Sequence, residues 1–95
     1  MAITRINEFH AIEGKGDALA AVFGTTIVPS IRQAAGCISC ELLRSVDEPG
    51  RFAVVEVWDS VEAHKASLAE VPPELFLQVK PLLSTPPTGH YYRAG

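Results

Sequence analysis

Ninety-five residues make one domain, spanning 1–95, and a chain of this size buries only about 60–65% of the surface that its unfolded form exposes. It is 47% hydrophobic and 20% charged with a net charge of −3 and no basic run, which excludes nucleic acid and anionic membrane surfaces as electrostatic partners. No apolar stretch nears the roughly 20 residues needed to span a bilayer. The start, Met1-Ala-Ile-Thr-Arg-Ile-Asn-Glu8, is too polar for a signal peptide, so a cytoplasmic protein is expected. Surplus apolar surface on so small a body points to oligomerisation.

Residues 2–12 read as a strand, with Ile6, Glu8, His10 and Ile12 on one face and Ile3, Arg5, Asn7 and Phe9 on the other. Both faces mix apolar and polar groups, as in a strand covered on both sides with one side lining a cleft. Glu13 to Gly16 form a turn, and Asp17 is the expected N-cap of a helix running to about Ala35. Leu19, Val22, Phe23, Ile27, Ile31 and Ala34 make its apolar stripe. Pro29 predicts a kink or lost hydrogen bonding near Thr25 and Thr26. Gly36 suits the left-handed position that closes the helix.

Residues 37–46 form a second strand, with Ile38, Cys40, Leu42 and Val46 on one face. Asp47-Glu-Pro-Gly50 turns the chain into a third strand, 51–58, antiparallel to the second. In it Phe52, Val54, Glu56 and Trp58 share a face opposite Ala53, Val55 and Val57. Asp59 or Ser60 caps the next helix, which Pro72 and Pro73 end. Glu74 to Leu83 restart a short helix, and His90 to Arg93 give the last strand. The order is β-α-β-β-α-(α)-β, an α+β ferredoxin-like pattern with a four-stranded antiparallel sheet. Helices would cover one face. The face of Phe52, Val54 and Trp58 would need a second cover, which a second sheet across a twofold axis would supply.

Cys37 and Cys40 have redox spacing but follow a helix and open a strand. A strand sends residues i and i+3 to opposite faces, and no nearby histidine completes a zinc site. Packed, reduced thiols are expected, and no metal.

Two runs carry a family resemblance: Ala35-Gly-Cys-Ile-Ser-Cys-Glu-Leu42 and Phe52-Ala-Val-Val-Glu-Val-Trp-Asp-Ser-Val-Glu-Ala-His-Lys-Ala-Ser67. They resemble the antibiotic biosynthesis monooxygenase family, from Ile3 to Tyr92 overall and most specifically from Gly36 to Ala63. The resemblance implies a dimeric α+β barrel with a cavity between sheet and helices in each subunit. It also implies oxygenation of phenolic or quinol substrates by molecular oxygen without metal or flavin, with haem-degrading relatives as a variant. Trp58 matches the family tryptophan. The asparagine that precedes it by four positions in oxygenating members is Val54 here, and the usual helix histidine falls near Ser67 or Leu68, one turn beyond His64. Haem-degrading relatives pair a first-strand asparagine, matched by Asn7, with that helix histidine as iron ligand.

Each candidate has a chemical and a structural reading. Trp58 could stack on a planar aromatic or donate its indole N–H, or it could be core. A buried Glu56 would have a raised pKa and act as acid or base, or it could pair with Arg5, Arg44 or Arg93. His64 or His10 could take a phenolic proton, or sit at a helix border and in the sheet. Asn7 could hold an oxygen intermediate or a substrate carbonyl, or bond within the sheet. Leu75, Phe76, Val79, Leu82 and Leu83 could form a lid or pack in the core.

The expected protein is a cofactor-independent monooxygenase acting on a small aromatic. Trp58, His64, Asn7 and Glu56 would do the chemistry, and His10, Phe52, Leu75 and Phe76 would bind substrate. The alternatives are a non-catalytic small-molecule-binding or stress-response dimer, and haem binding.

Overall fold

Runs rich in β-branched and aromatic residues, punctuated by Gly, Pro, Asp and Ser, become strands, and the apolar run at helical spacing becomes the first helix. The computed structural model describes residues 1–95. In chain order it holds β1 (Ile3–His10), α1 (Gly16–Val22), a π-helical turn (Phe23–Ile27), α2 (Val28–Arg32), β2 (Cys37–Arg44) and β3 (Arg51–Trp58). Then come α3 (Val61–Glu70), α4 (Pro73–Val79), a 3-10 turn (Lys80–Leu82) and β4 (Thr88–Tyr92). The four strands are antiparallel in the order β2-β3-β1-β4. This is the expected α+β ferredoxin-like fold. No helix is long and apolar enough to cross a membrane.

Pro29 acts where its chemistry requires. The π-helical turn brackets Thr25 and Thr26, and the Val28 N–H reaches back to the Phe23 carbonyl. Proline lacks an N–H and crowds the carbonyl four residues earlier, so the helix widens there. Gly36 closes the helical segment at φ +86°, and a Cβ on it would lie 2.7 Å from Ala63 Cβ. Only glycine lets the chain turn and pass so close to α3. Ser60 caps α3, its Oγ accepting the Ala63 N–H at 3.1 Å. Asp17 is not a cap. The helix begins one residue earlier, and the Asp17 carboxylate instead accepts Arg44 Nη1–H at 2.8 Å.

The sheet's covered face reverses the expectation. The β1–β3 register sets Arg5 opposite Glu56, Asn7 opposite Val54 and Phe9 opposite Phe52. This is the face under the helices: Phe9, Phe52, Val54, Glu56 and Trp58 are 1–3% exposed. Leu19, Ile27, Val28 and Val79 pack down on it. Strand alternation states which residues share a face. It does not state which face the helices take, and here the bulky aromatics meet the helical stripe. The outer face carries Ile6, Val55 and Val57, each half-buried.

The cysteines also differ from the simple alternation. A register shift between Cys37 and Ser39 pushes Ile38 outward, 57% exposed. Cys37 then pairs with Trp58 and Cys40 with Glu56, so both meet the inner face. Both thiols are free, as expected. Burial, helped by the Glu56 charge, pushes Cys40 up to about 12 and raises Cys37 as well. They are protonated packing groups.

Candidate active site

A cavity of about 610 Å³ lies between the inner sheet face and the helices. Small-molecule sites typically measure about 300–1,000 Å³ and combine apolar walls with a few convergent polar groups. Here Phe9, Phe23, Ile27, Ile31, Val54 and Val79 supply apolar wall, and the π-helical turn contributes two of them. Arg5, Asn7, Glu56, Trp58 and His64 supply the polar corner.

Strand spacing builds that corner. Glu56 and Trp58, two residues apart on β3, share a face, and Trp58 Nε1–H donates to Glu56 Oε1 at 2.8 Å. Asn7 on the neighbouring strand donates from Nδ2 to Glu56 Oε2 at 2.9 Å. Its Oδ1 accepts Arg5 Nε–H at 3.1 Å. Glu56 therefore holds no arginine ion pair; two neutral donors occupy its oxygens, which corrects the pairing expected with Arg5, Arg44 or Arg93. Burial raises its pKa, while the bonds from Trp58 and Asn7 and the Arg5 charge oppose the rise. The Trp58 indole N–H is spent on Glu56 and is not free for a ligand.

His64 stands across from this carboxylate on α3. Its side chain is 7% exposed, and Nε2 lies 3.9 Å from Glu56 Oε1. Nδ1 shares a 2.6 Å hydrogen bond with Tyr91 Oη on β4. The ring meets Trp58 and Tyr91 edge-on, both at 5.3 Å between centroids. Burial first, then the Arg5 and Lys65 charges, lowers its pKa below the ordinary imidazole value, so it is neutral at pH 7. No buried side-chain nitrogen or oxygen lacks a hydrogen-bond partner, so Nε2, which bonds nothing in the protein, is reached from the cavity.

Of the eight candidate residues, the structure gathers Trp58, His64, Asn7, Glu56 and Phe76 around the cavity. Phe76 stands at its rim, 49% exposed. The other three are elsewhere. His10 projects to the outer side of the sheet, where Nε2 lies 3.9 Å from Glu48. Phe52 is sealed in the core at 5.5 Å from Phe9. Leu75 packs on the core rather than the cavity wall. The residue absent from the sequence reading is Tyr91. It enters because β4 aligns it with Arg5, whose Cζ lies 4.5 Å from the Tyr91 ring centre. The strand parity of Tyr91 was visible, but the register that places it beside Arg5 was not.

The site also bears on haem. His64 is the only histidine on the cavity wall, and no three His, Cys, Asp or Glu side chains converge as a metal site. Glu56 and Trp58 lie against the His64 ring, 3% and 1% exposed, where a macrocycle held by that histidine would need room. These residues do not fit a haem.

A ferredoxin-like sheet with a largely apolar cavity ending in a Trp–Glu–Asn–His corner defines an α+β domain with a candidate small-molecule pocket. Residues 2–71 match the antibiotic biosynthesis monooxygenase family, and the chain belongs to that family. Protein SO0527 from Shewanella oneidensis is 33% identical over 96% of this chain and 88% of its own, with a TM-score of 0.80. Rv0793 from Mycobacterium tuberculosis is 25% identical over 99% and 95%, also with a TM-score of 0.80. SnoaB from Streptomyces nogalater, a cofactor-independent oxygenase, shares the fold at 21% identity and a TM-score of 0.79, over 98% and 92%. No curated protein matches the chain.

Proposed function

We propose that the cavity binds a planar phenol or quinol and oxygenates it with molecular oxygen, without metal or flavin. The observation that carries the reading is His64. It is a neutral imidazole held by Tyr91, with its second nitrogen open to a largely apolar cavity. With the proton on Nδ1, donated to Tyr91 Oη, Nε2 is free to take the substrate's hydroxyl proton. The resulting imidazolium faces Glu56 Oε1, 3.9 Å away. The electron-rich anion then reduces oxygen: one atom enters the ring, the other leaves as water, and the substrate supplies all four electrons. The protein contributes positioning and desolvation.

Two further points support the reading. Asn7 lies directly opposite Val54, so an amide stands one strand away from the place where oxygenating members carry their asparagine. The Streptomyces neighbour is named a cofactor-independent oxygenase. The test is an oxygen-electrode assay with anthrone- and menadiol-type substrates in the presence of a chelator. Oxygen uptake above the uncatalysed rate is expected, whereas binding without uptake across the panel would favour a carrier.

The assembly we propose is a homodimer through the outer sheet face. Ile6, Val55 and Val57 form its centre, with Leu43 and Tyr92 about half exposed at 49% and 50%. Uncovered, this apolar face is the kind that marks an interface. Sedimentation equilibrium is expected to give twice the 10.2 kDa chain mass, and Val55→Lys to shift it to one chain. A wild-type monomer would remove the assembly.

A further inference from the structure

The cavity wall holds a cation with an unused face. Arg5 and Lys80 are its only Arg or Lys residues, and Lys80 is exposed at the rim. The ion pairs formed within 4.0 Å involve Arg44, Arg51, His10 and His64, but not Arg5. The Arg5 guanidinium is nevertheless held in place. Nε–H donates to Asn7 Oδ1 at 3.1 Å, and Cζ lies 4.5 Å from the Tyr91 ring centre. Gly89 leaves room for it, since a Cβ there would overlap both the guanidinium and the Asn7 amide. Nη1 and Nη2 make no hydrogen bond to the protein. The nearest cross-strand carboxylate, Glu56, is committed to Asn7 and Trp58.

A half-buried guanidinium with no ion pair within 4.0 Å and two unbonded nitrogens gains from an oxyanion that takes them. Its planar fork matches two oxygens, or one oxyanion, better than any neutral group. We infer that Arg5 anchors an anionic oxygen on the aromatic ligand through Nη1 and Nη2, so that the site selects planar aromatics bearing a carboxylate or an ionised hydroxyl. The inference rests on the proposed reading of the cavity as the substrate site and names its substrate class.

Trp58, the only tryptophan, lines the cavity and reports binding by its fluorescence. Anaerobic titrations at pH 7 use 1-naphthoate, 1-naphthol and the neutral 1-naphthamide. Wild type is expected to bind at least one of the two acids about tenfold or more tighter than the amide. Arg5→Gln is expected to lose that advantage, weakening the favoured acid about tenfold or more relative to the amide. A naphthoate advantage identifies a carboxylate carried in from solution; a naphthol advantage identifies a hydroxyl ionised in the site. If Arg5→Gln does not fold by circular dichroism, Arg5→Lys serves. It keeps the charge but not the fork, and should weaken the acid several-fold and leave the amide unaffected. Equal binding of acids and amide to wild type, an acid preference untouched by either variant, or no acid binding at millimolar concentration would each overturn the inference. These titrations need no turnover. Charge-selective binding with no oxygen uptake would reject the oxygenation and keep the anchor.

Discussion

His64→Ala is expected to lower the rate of oxygen uptake by about 10²- to 10⁴-fold, the usual contribution of a positioned general base. The side chain is nearly buried, its Nδ1 is fixed by Tyr91 at 2.6 Å, and no other histidine lines the cavity. The pH dependence has a definite sign. Only the neutral imidazole accepts a proton, and burial lowers its pKa below 6.5. The wild-type rate should therefore rise through a midpoint below about 6.5 and be level above it. The alanine variant should lose this inflection, and added imidazole should restore part of the rate. A variant that keeps the wild-type rate, or an inflection that survives the substitution, would remove His64 as the base.

Trp58→Phe should produce the largest effect on stability among conservative changes in the polar corner. Phenylalanine keeps much of the buried ring but removes the Nε1–H that reaches Glu56 Oε1 at 2.8 Å. Loss of a bond to a buried carboxylate costs about 1.5–3 kcal/mol. For a domain of this size each 1 kcal/mol is worth about 4–8 °C in Tm, so a drop on the order of 10 °C is expected. The effect should also depend on pH. The folded Glu56 pKa is raised above its usual 4.5, so its ionisation erodes stability as pH rises from 4.5 through the folded value. The indole donor stabilises the anion, and removing it raises that pKa further. Urea melts should thus show a smaller loss at pH 4 than at pH 8. Equal losses at both would mean that the indole serves packing alone.

The strand and helix order was legible because period-2 and period-3.6 patterns are properties of neighbouring residues. Pro29 could be read as a local disturbance for the same reason, and Ser60 as a cap. The spacing of Glu56 and Trp58 likewise placed carboxylate and indole side by side before any fold was known. What escaped depends on long-range register. Tyr91 meets Arg5 only through the β1–β4 pairing, and Asn7 reaches Glu56 only across β1 and β3. The covered side of the sheet follows from how the helices cross over, which alternation within one strand does not encode. Cys37 moved to the inner face because one extra residue, Ile38, interrupts the ladder. His10 shows the converse: its chemistry suited the role, but its parity sends it to the other side of the sheet from the cavity.

The most direct test of the account follows both atoms of oxygen. With ¹⁸O₂ and an anthrone- or menadiol-type substrate, metal-depleted wild-type protein should release product carrying one labelled atom, with the second recovered in water. Labelled hydrogen peroxide with unlabelled product, or activity that appears only when iron or flavin is added back, would contradict a cofactor-independent oxygenase centred on His64.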